Sequence, residues 1–241
     1  MWFKKNKGKV IAVVLVLAVL AAAFYFGGNA PGARGWTVGK TEKPSGSGAA
    51  QAVENGEVPE GYELVNGMLI NKETGKDQYL TDPVPEGKPL PVEPQDAVVG
   101  SKEFKCTLSI SCATILDNMD LCEKEKRELV PDDGWILKPV EVVFYEGESV
   151  FNVLQRTCKQ NKIHMEFSNT PMYNSAYIEG IHNLYEFTVG ELSGWMYKVN
   201  GWFPNYGCSR YALKDGDVIE WVYTCDLGYD VGGGWVITGE Q

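Results

Sequence analysis

The sequence predicts an α+β roll, a mixed sheet crossed by one main helix. Three observations predict it. Val150, Phe151, Val153, Leu154 and Cys158 fall on one face of a helix that opens at Ser149, a residue type suited to a helix N-cap. Residues 195–199 and 218–224 alternate on the period of a strand. Asn200-Gly201 follows the first of these runs, and both residues tolerate the positive φ that a two-residue hairpin turn demands. The order strand, insertion, strand, helix, strand, hairpin, strand leaves a single helix to cover the sheet.

The chain opens with Lys4, Lys5, Lys7 and Lys9 and no acid in the first nine residues, followed by a wholly apolar or aromatic run from Val10 to Phe26. A basic head before an apolar run reads as a signal peptide or a signal anchor over residues 1–26. Phe24, Tyr25 and Phe26 favour a retained anchor at the membrane interface, while Ala21 and Ala23 supply the small-x-small pattern of a cleavable signal. Either way the lysines stay inside, and the remainder is expected to be extracytoplasmic, on the cell membrane if tethered and secreted if cleaved.

Residues 27–100 read as a long flexible linker. The stretch 27–58 is rich in Gly, Ala, Pro, Ser and charge, with little to bury. Met68–Ile70 and Gln78–Thr81 are expected to pair as a short hairpin across "NKETG", docked on something larger, because an isolated hairpin is marginal in water. Residues 82–95, "DPVPEGKPLPVEPQ", carry five prolines and read as an extended, semi-rigid spacer.

The folded domain is expected over 101–234, with a tail at 235–241. "EFKCTLSI" is its first strand, "LDNMDLCEKEKRELVPDDG" a helix in its middle part, and "KPVEVVFYEGE" a second strand of β-branched and aromatic residues. "IHMEF" follows the main helix as a third strand. Residues 168–193 read as loop-rich, with a short strand at 176–179. Trp202 and Phe203 begin the return after Asn200-Gly201, and Lys214-Asp215-Gly216-Asp217 makes the last turn. The acids of that turn serve backbone geometry rather than acid–base chemistry or calcium.

Charge and motif content narrow the function classes. The formal net charge of -10 argues against a nucleic-acid partner, which needs a basic patch. "VGGGW" at 231–235 follows a strand, but no helix is expected to open after it, so it does not make a phosphate cradle. No C-x-x-C pair suggests zinc. Cys158 and His164 are the nearest cysteine–histidine pair, but Cys158 lies on the buried helix face, where a reactive thiol is out of place. The chain is therefore expected not to be an enzyme, and no cofactor or metal is expected. The aromatic stretch "GWMYKVNGWFPNYG" at 194–207 is the remaining candidate. Its rings serve either as core or, between Trp202 and Tyr206, as a projecting aromatic platform.

"EGESVFNVLQ", "SGWMYKVNGWFPNYG" and "LKDGDVIEWVYT" together resemble a domain family of unknown function found on Gram-positive surface proteins. That family is similar to the C-terminal domain of transcobalamin and intrinsic factor. "CTLSISCATILDNMDLCEKEKRELVPDDG" is similar to the opening of Gram-positive members. The resemblance covers roughly 104–230. It implies a β-grasp fold of the soluble-ligand-binding type and a ligand of the corrinoid (cobalamin) type, with Gly194, Trp195, Tyr197, Asn200, Gly201, Trp202, Phe203, Asn205 and Tyr206 as candidate ligand-binding residues. In the vitamin carriers a helical domain closes the other side of the site. Nothing before residue 100 reads as such a domain, so a partner protein supplies it, or the affinity is low, or the ligand differs. The alternative is a surface module that binds a protein or a cell-wall polymer through the same rings. On the implied fold, Cys106 and Cys112 flank the first strand, and Cys208 and Cys225 lie near the last hairpin and the last strand. These are the candidate disulfide cysteines, and Cys158, on the apolar face of the helix, is either a buried thiol or a further bridge partner.

Overall fold

The computed structural model describes residues 58–65 and 68–238. Residues 1–57, and with them the expected anchor and the 27–57 part of the linker, lie outside the described residues. Among the described residues no helix is long and apolar enough to cross a membrane.

The fold is mixed α+β and dominated by sheet, with one main helix. Strands β1 (Tyr62–Val65) and β2 (Met68–Asn71) pair antiparallel as a hairpin. The four-stranded sheet is built from β3 (Glu103–Ser111), β4 (Trp135–Tyr145), β8 (Gly194–Val199) and β9 (Val218–Thr224), in the order β4-β3-β9-β8. Only the central pair, β3 and β9, runs parallel. A second sheet of β5 (Met165–Thr170), β6 (Ser175–Ile181) and β7 (Leu184–Tyr185) is antiparallel throughout. Helix α1 (Val150–Asn161) buries Val150, Val153, Leu154 and Cys158, the face that the apolar spacing picks out. Ser149 caps it, its hydroxyl accepting from the Asn152 N–H while the Asn152 side chain accepts from the Ser149 N–H. The chain leaves α1 through Lys162 in the left-handed conformation and runs directly into β5. A short helix, α2 (Trp235–Thr238), lies at the end of the described residues.

Alternation places Leu108, Ile110, Ile219, Trp221, Tyr197 and Val199 in one core layer with the buried residues of α1. A smaller cluster, with Cys112, Ile115, Cys122, Val130, Leu184, Val189 and Tyr223, closes the other end of the sheet.

Three expectations change. "LDNMDLCEKEKRELVPDDG" forms short 3-10 turns at Ala113–Asn118 and Lys124–Leu129 rather than an α-helix. Its apolar residues do not follow a helical stripe; Cys122 and Val130, with Ile115 just before the stretch, are drawn singly into the smaller cluster. The span 168–193 holds a complete strand, β6, paired along β5. Met68–Ile70 takes 62–65 as its main partner and touches the other side only through an Ile70–Asp77 bridge and the Gln78 N–H to the Leu69 carbonyl, 2.9 Å.

The proline-rich run does not stand away from the domain. Val84 packs against the main core, and the Val92 N–H donates to the Arg210 carbonyl at 2.9 Å. The two ends of this strap, near Asp77 and Glu93, meet at one arginine. Arg210, 0% exposed, donates from Nη2 to Asp77 Oδ2 at 2.7 Å and Glu93 Oε1 at 3.1 Å, and from Nη1 to Thr81 Oγ1 at 2.7 Å. The Tyr79 ring lies 5.1 Å from its guanidinium carbon.

Candidate functional site

The Asn200-Gly201 turn forms as the dipeptide predicts, with φ of 52° and 77°. The return is a single residue: Trp202 bridges Val199, and the chain then leaves the sheet, so β8 finds its partner in β9. Asn200 ties that junction, donating from Nδ2 to Asp217 Oδ1 and accepting from the Val218 N–H. Asp217 also accepts from the Lys214 N–H, and Asp215 from the Lys105 N–H. Both acids thus hold backbone.

The loop after the turn is not a projecting platform. Trp202, Phe203 and Tyr206 are 9%, 4% and 7% exposed. Trp202 stacks on Trp235 with centroids 6.4 Å apart, and Lys88 Nζ sits 5.5 Å from its ring. Phe203 lies beneath Lys198 and against Gly233. Asn205 Nδ2 donates to the Asp82 carbonyl at 3.0 Å, and the Tyr206 hydroxyl to the Pro89 carbonyl at 2.7 Å. Rings that the turn sends outward are covered by the strap and by the C-terminal segment.

A cavity of about 350 Å³ opens where residues 79–81, β6, β8, β9 and the 204–210 loop meet. Close approach of that loop to β6 depends on Gly207, where a Cβ would lie 2.4 Å from Ser175 Cβ. Of the residues expected to bind ligand, Trp195, Tyr197, Asn205 and Tyr206 line this cavity; Gly194, Asn200, Gly201, Trp202 and Phe203 do not. Trp195 Nε1 donates to the Leu184 carbonyl at 2.8 Å, and the Tyr197 hydroxyl to the Tyr206 carbonyl at 2.8 Å. Burial, with neighbouring Cys208, Tyr206 and Tyr211 secondary, pushes the Tyr197 phenol well above its ordinary value, so it stays a neutral donor.

The sequence reading missed Tyr79, Tyr173, Tyr177, Arg210 and Trp221, which complete the wall. Tyr173 and Tyr177, 51% and 48% exposed, put rings at its open side. The Tyr177 hydroxyl donates to Glu186, and its phenol is raised by burial and by that carboxylate. Asn205, Arg210 and Trp221 each carry a buried polar atom (Oδ1, Nε and Nε1) with no hydrogen-bond partner among the described residues.

All six cysteines are free thiols in this structure, so it shows no bridge at Cys106, Cys112, Cys208 or Cys225. They pack as small apolar groups in two places: Cys106, Cys158 and Cys208 in the main core, and Cys112, Cys122 and Cys225 in or against the smaller cluster. Burial pushes the Cys106, Cys112, Cys158 and Cys208 thiols up to about 12. His164 Nε2 faces Glu166 at 3.3 Å rather than hydrogen bonding to Cys158. Among the described residues no three His, Cys, Asp or Glu side chains are grouped to hold a metal ion.

Residues 147–225 match the family described as Domain of unknown function (DUF4430), so the resemblance read from the motifs is borne out over that span. Curated protein sequences yield no match. Among solved structures the chain is similar to haptocorrin in complex with Cbi, at 15% identity and a TM-score of 0.38, covering 52% of this chain. It spans 26% of that haptocorrin chain. It is also similar to a proposed metal binding protein from Ruminococcus gnavus ATCC 29149, at 14% identity and a TM-score of 0.29, covering 50% of this chain and 96% of that one.

Proposed function

We propose that the chain is an extracytoplasmic, membrane-tethered binding protein whose β-grasp domain takes a small molecule into the cavity between β6, β8 and Arg210, without catalysing a reaction. One observation carries the reading: Asn205, Arg210 and Trp221 all line one largely apolar, aromatic cavity, and each holds a buried polar atom without a partner. Each such atom costs about 1–3 kcal/mol when unmet. A ligand with matching groups recovers that cost, and aromatic walls with a few polar points are the usual make-up of a ligand pocket. The buried, protonated thiols support a binding role over nucleophilic catalysis.

The family resemblance makes a corrinoid the first ligand to test. A corrinoid ring is wider than this cavity, so it would rest on Tyr173 and Tyr177 and send one edge or side chain inward. A partner protein would cover its outer face. Titrating the purified chain with cyanocobalamin should quench tryptophan fluorescence and raise the melting temperature, and Asn205→Ala should weaken both effects. Neither response at millimolar cyanocobalamin would reject the corrinoid; no stabilisation across a broad small-molecule screen as well would reject the cavity as a ligand site.

The exposure of Met172, Tyr173 and Tyr177 on the β5–β6 hairpin favours a second reading, a module that binds a protein or cell-wall polymer. Tyr173→Ala with Tyr177→Ala abolishing retention on isolated cell wall, while small-molecule binding persists, would select it.

A further inference from the structure

Residues 82–91 lie on the loop that follows Asn200-Gly201, and the way they are held has its own chemistry. Loop side chains donate to strap carbonyls: Asn205 Nδ2 to Asp82 at 3.0 Å and to Pro83 at 3.4 Å, and the Tyr206 hydroxyl to Pro89 at 2.7 Å. Pro83, Pro85, Pro89 and Pro91 have no N–H to give, so the strap presents acceptors and ring faces. The loop answers with donors and with the rings of Trp202, Tyr206 and Tyr211. That pairing is how aromatic grooves recognise proline-rich segments.

The fit is incomplete at one place. The strap turns at Glu86-Gly87, closed by the Lys88 N–H to the Pro85 carbonyl at 3.1 Å. Beneath that turn is a cleft of about 230 Å³, lined by Gly87, Lys88, Pro89, Val199 and Trp202 among others. Trp202, more than nine-tenths buried, carries an indole N–H with no acceptor among the described residues. Where the strap bends away, a donor is left unmet.

We propose that this face is a receptor for a proline-rich segment of a partner protein, occupied in cis by residues 82–91. A segment that runs straight past Trp202 supplies the carbonyl that the Glu86-Gly87 turn withholds. The cis strap blocks the face through its high effective concentration, so a partner must outcompete it. The inference rests on the strap contacts alone and holds whatever enters the neighbouring cavity.

The test uses the full chain with residues 82–91 replaced by a Gly-Ser stretch of equal length. Three labelled peptides are titrated by fluorescence polarisation: residues 82–95, the same peptide with Glu86→Pro and Gly87→Pro, and one with every proline changed to alanine. The native peptide is expected to bind and the Pro-Pro peptide to bind several-fold tighter, while the alanine peptide should not bind. Tyr206→Phe should weaken the native peptide about fivefold, the effect of one hydrogen bond. Should the Gly-Ser chain not fold, the unaltered chain reports instead: exchange of the Val92 amide should accelerate as the Pro-Pro peptide is raised. Equal binding of the alanine peptide overturns the proposal. So does the absence of peptide binding to a folded Gly-Ser chain, or an unchanged Val92 exchange rate where that is the readout.

Discussion

Two groups of rings differ in a way their sequences do not announce. Trp202, Phe203, Tyr206 and Tyr211 stand close together after a tight turn, and all are buried. Tyr173 and Tyr177 are sparse, in a stretch that reads as loop, and about half of each is exposed beside the cavity. Ring density along the chain therefore says little about ring availability. What decides is whether a distant segment arrives to cover the ring. The first group receives the strap and Trp235; the second lies on the β5–β6 hairpin, exposed at the cavity's open side.

The hardest way to break this contrast is to remove the clasp. Arg210→Ala leaves Asp77 and Glu93 buried without their cation, and should cost about 3–5 kcal/mol. Urea unfolding should show the loss, and hydrogen exchange should show residues 77–93 losing protection. Tyr206→Ala should cost about 3–5 kcal/mol by the same measurement, as for a large core ring. Tyr177→Ala should stay within about 0.5 kcal/mol, as for an exposed side chain. Equal costs for the two tyrosines would erase the distinction between covered and open rings.

Glu93 sharpens it through pH. Burial, only partly offset by Arg210 and Asn174, raises its carboxyl above the ordinary value. A carboxyl raised on folding contributes stability that is full below its unfolded value and is lost as pH rises through its folded value. Glu93→Gln should therefore flatten the stability profile from the ordinary glutamate range upward and leave the protein no less stable at pH 7. A chain whose mutant loses stability only above that range would contradict the assignment. A small effect is also expected of Lys88→Ala. It removes a cation held over Trp202, should cost about 0.5–1 kcal/mol, and should shift the tryptophan emission slightly.

The main helix, the long strands and the Asn200-Gly201 turn were legible because each is specified locally. Ser149 and the apolar face of α1 sit within a few turns of chain, and Ile219, Trp221 and Tyr223 alternate within one strand. The cavity was not legible. Trp195 and Tyr197 could be named from their strand, but Tyr79, Arg210 and Tyr173 reach the same wall from segments far apart in sequence. Residues 113–129 misled for a related reason: their polar composition suits a helix, yet the burial of Ile115 and Cys122 against Tyr223 and Leu184 holds them as short 3-10 turns.

By itself the sequence determined the α+β class, the position of α1, the strand alternation and the hairpin turn. These follow from side-chain period, capping and backbone φ preference, which act over a few residues. Only the tertiary structure decided that the prolines form a strap rather than a spacer and that Arg210 joins Asp77 to Glu93. Those outcomes depend on which buried donor meets which distant acceptor, and local pattern carries no record of that meeting.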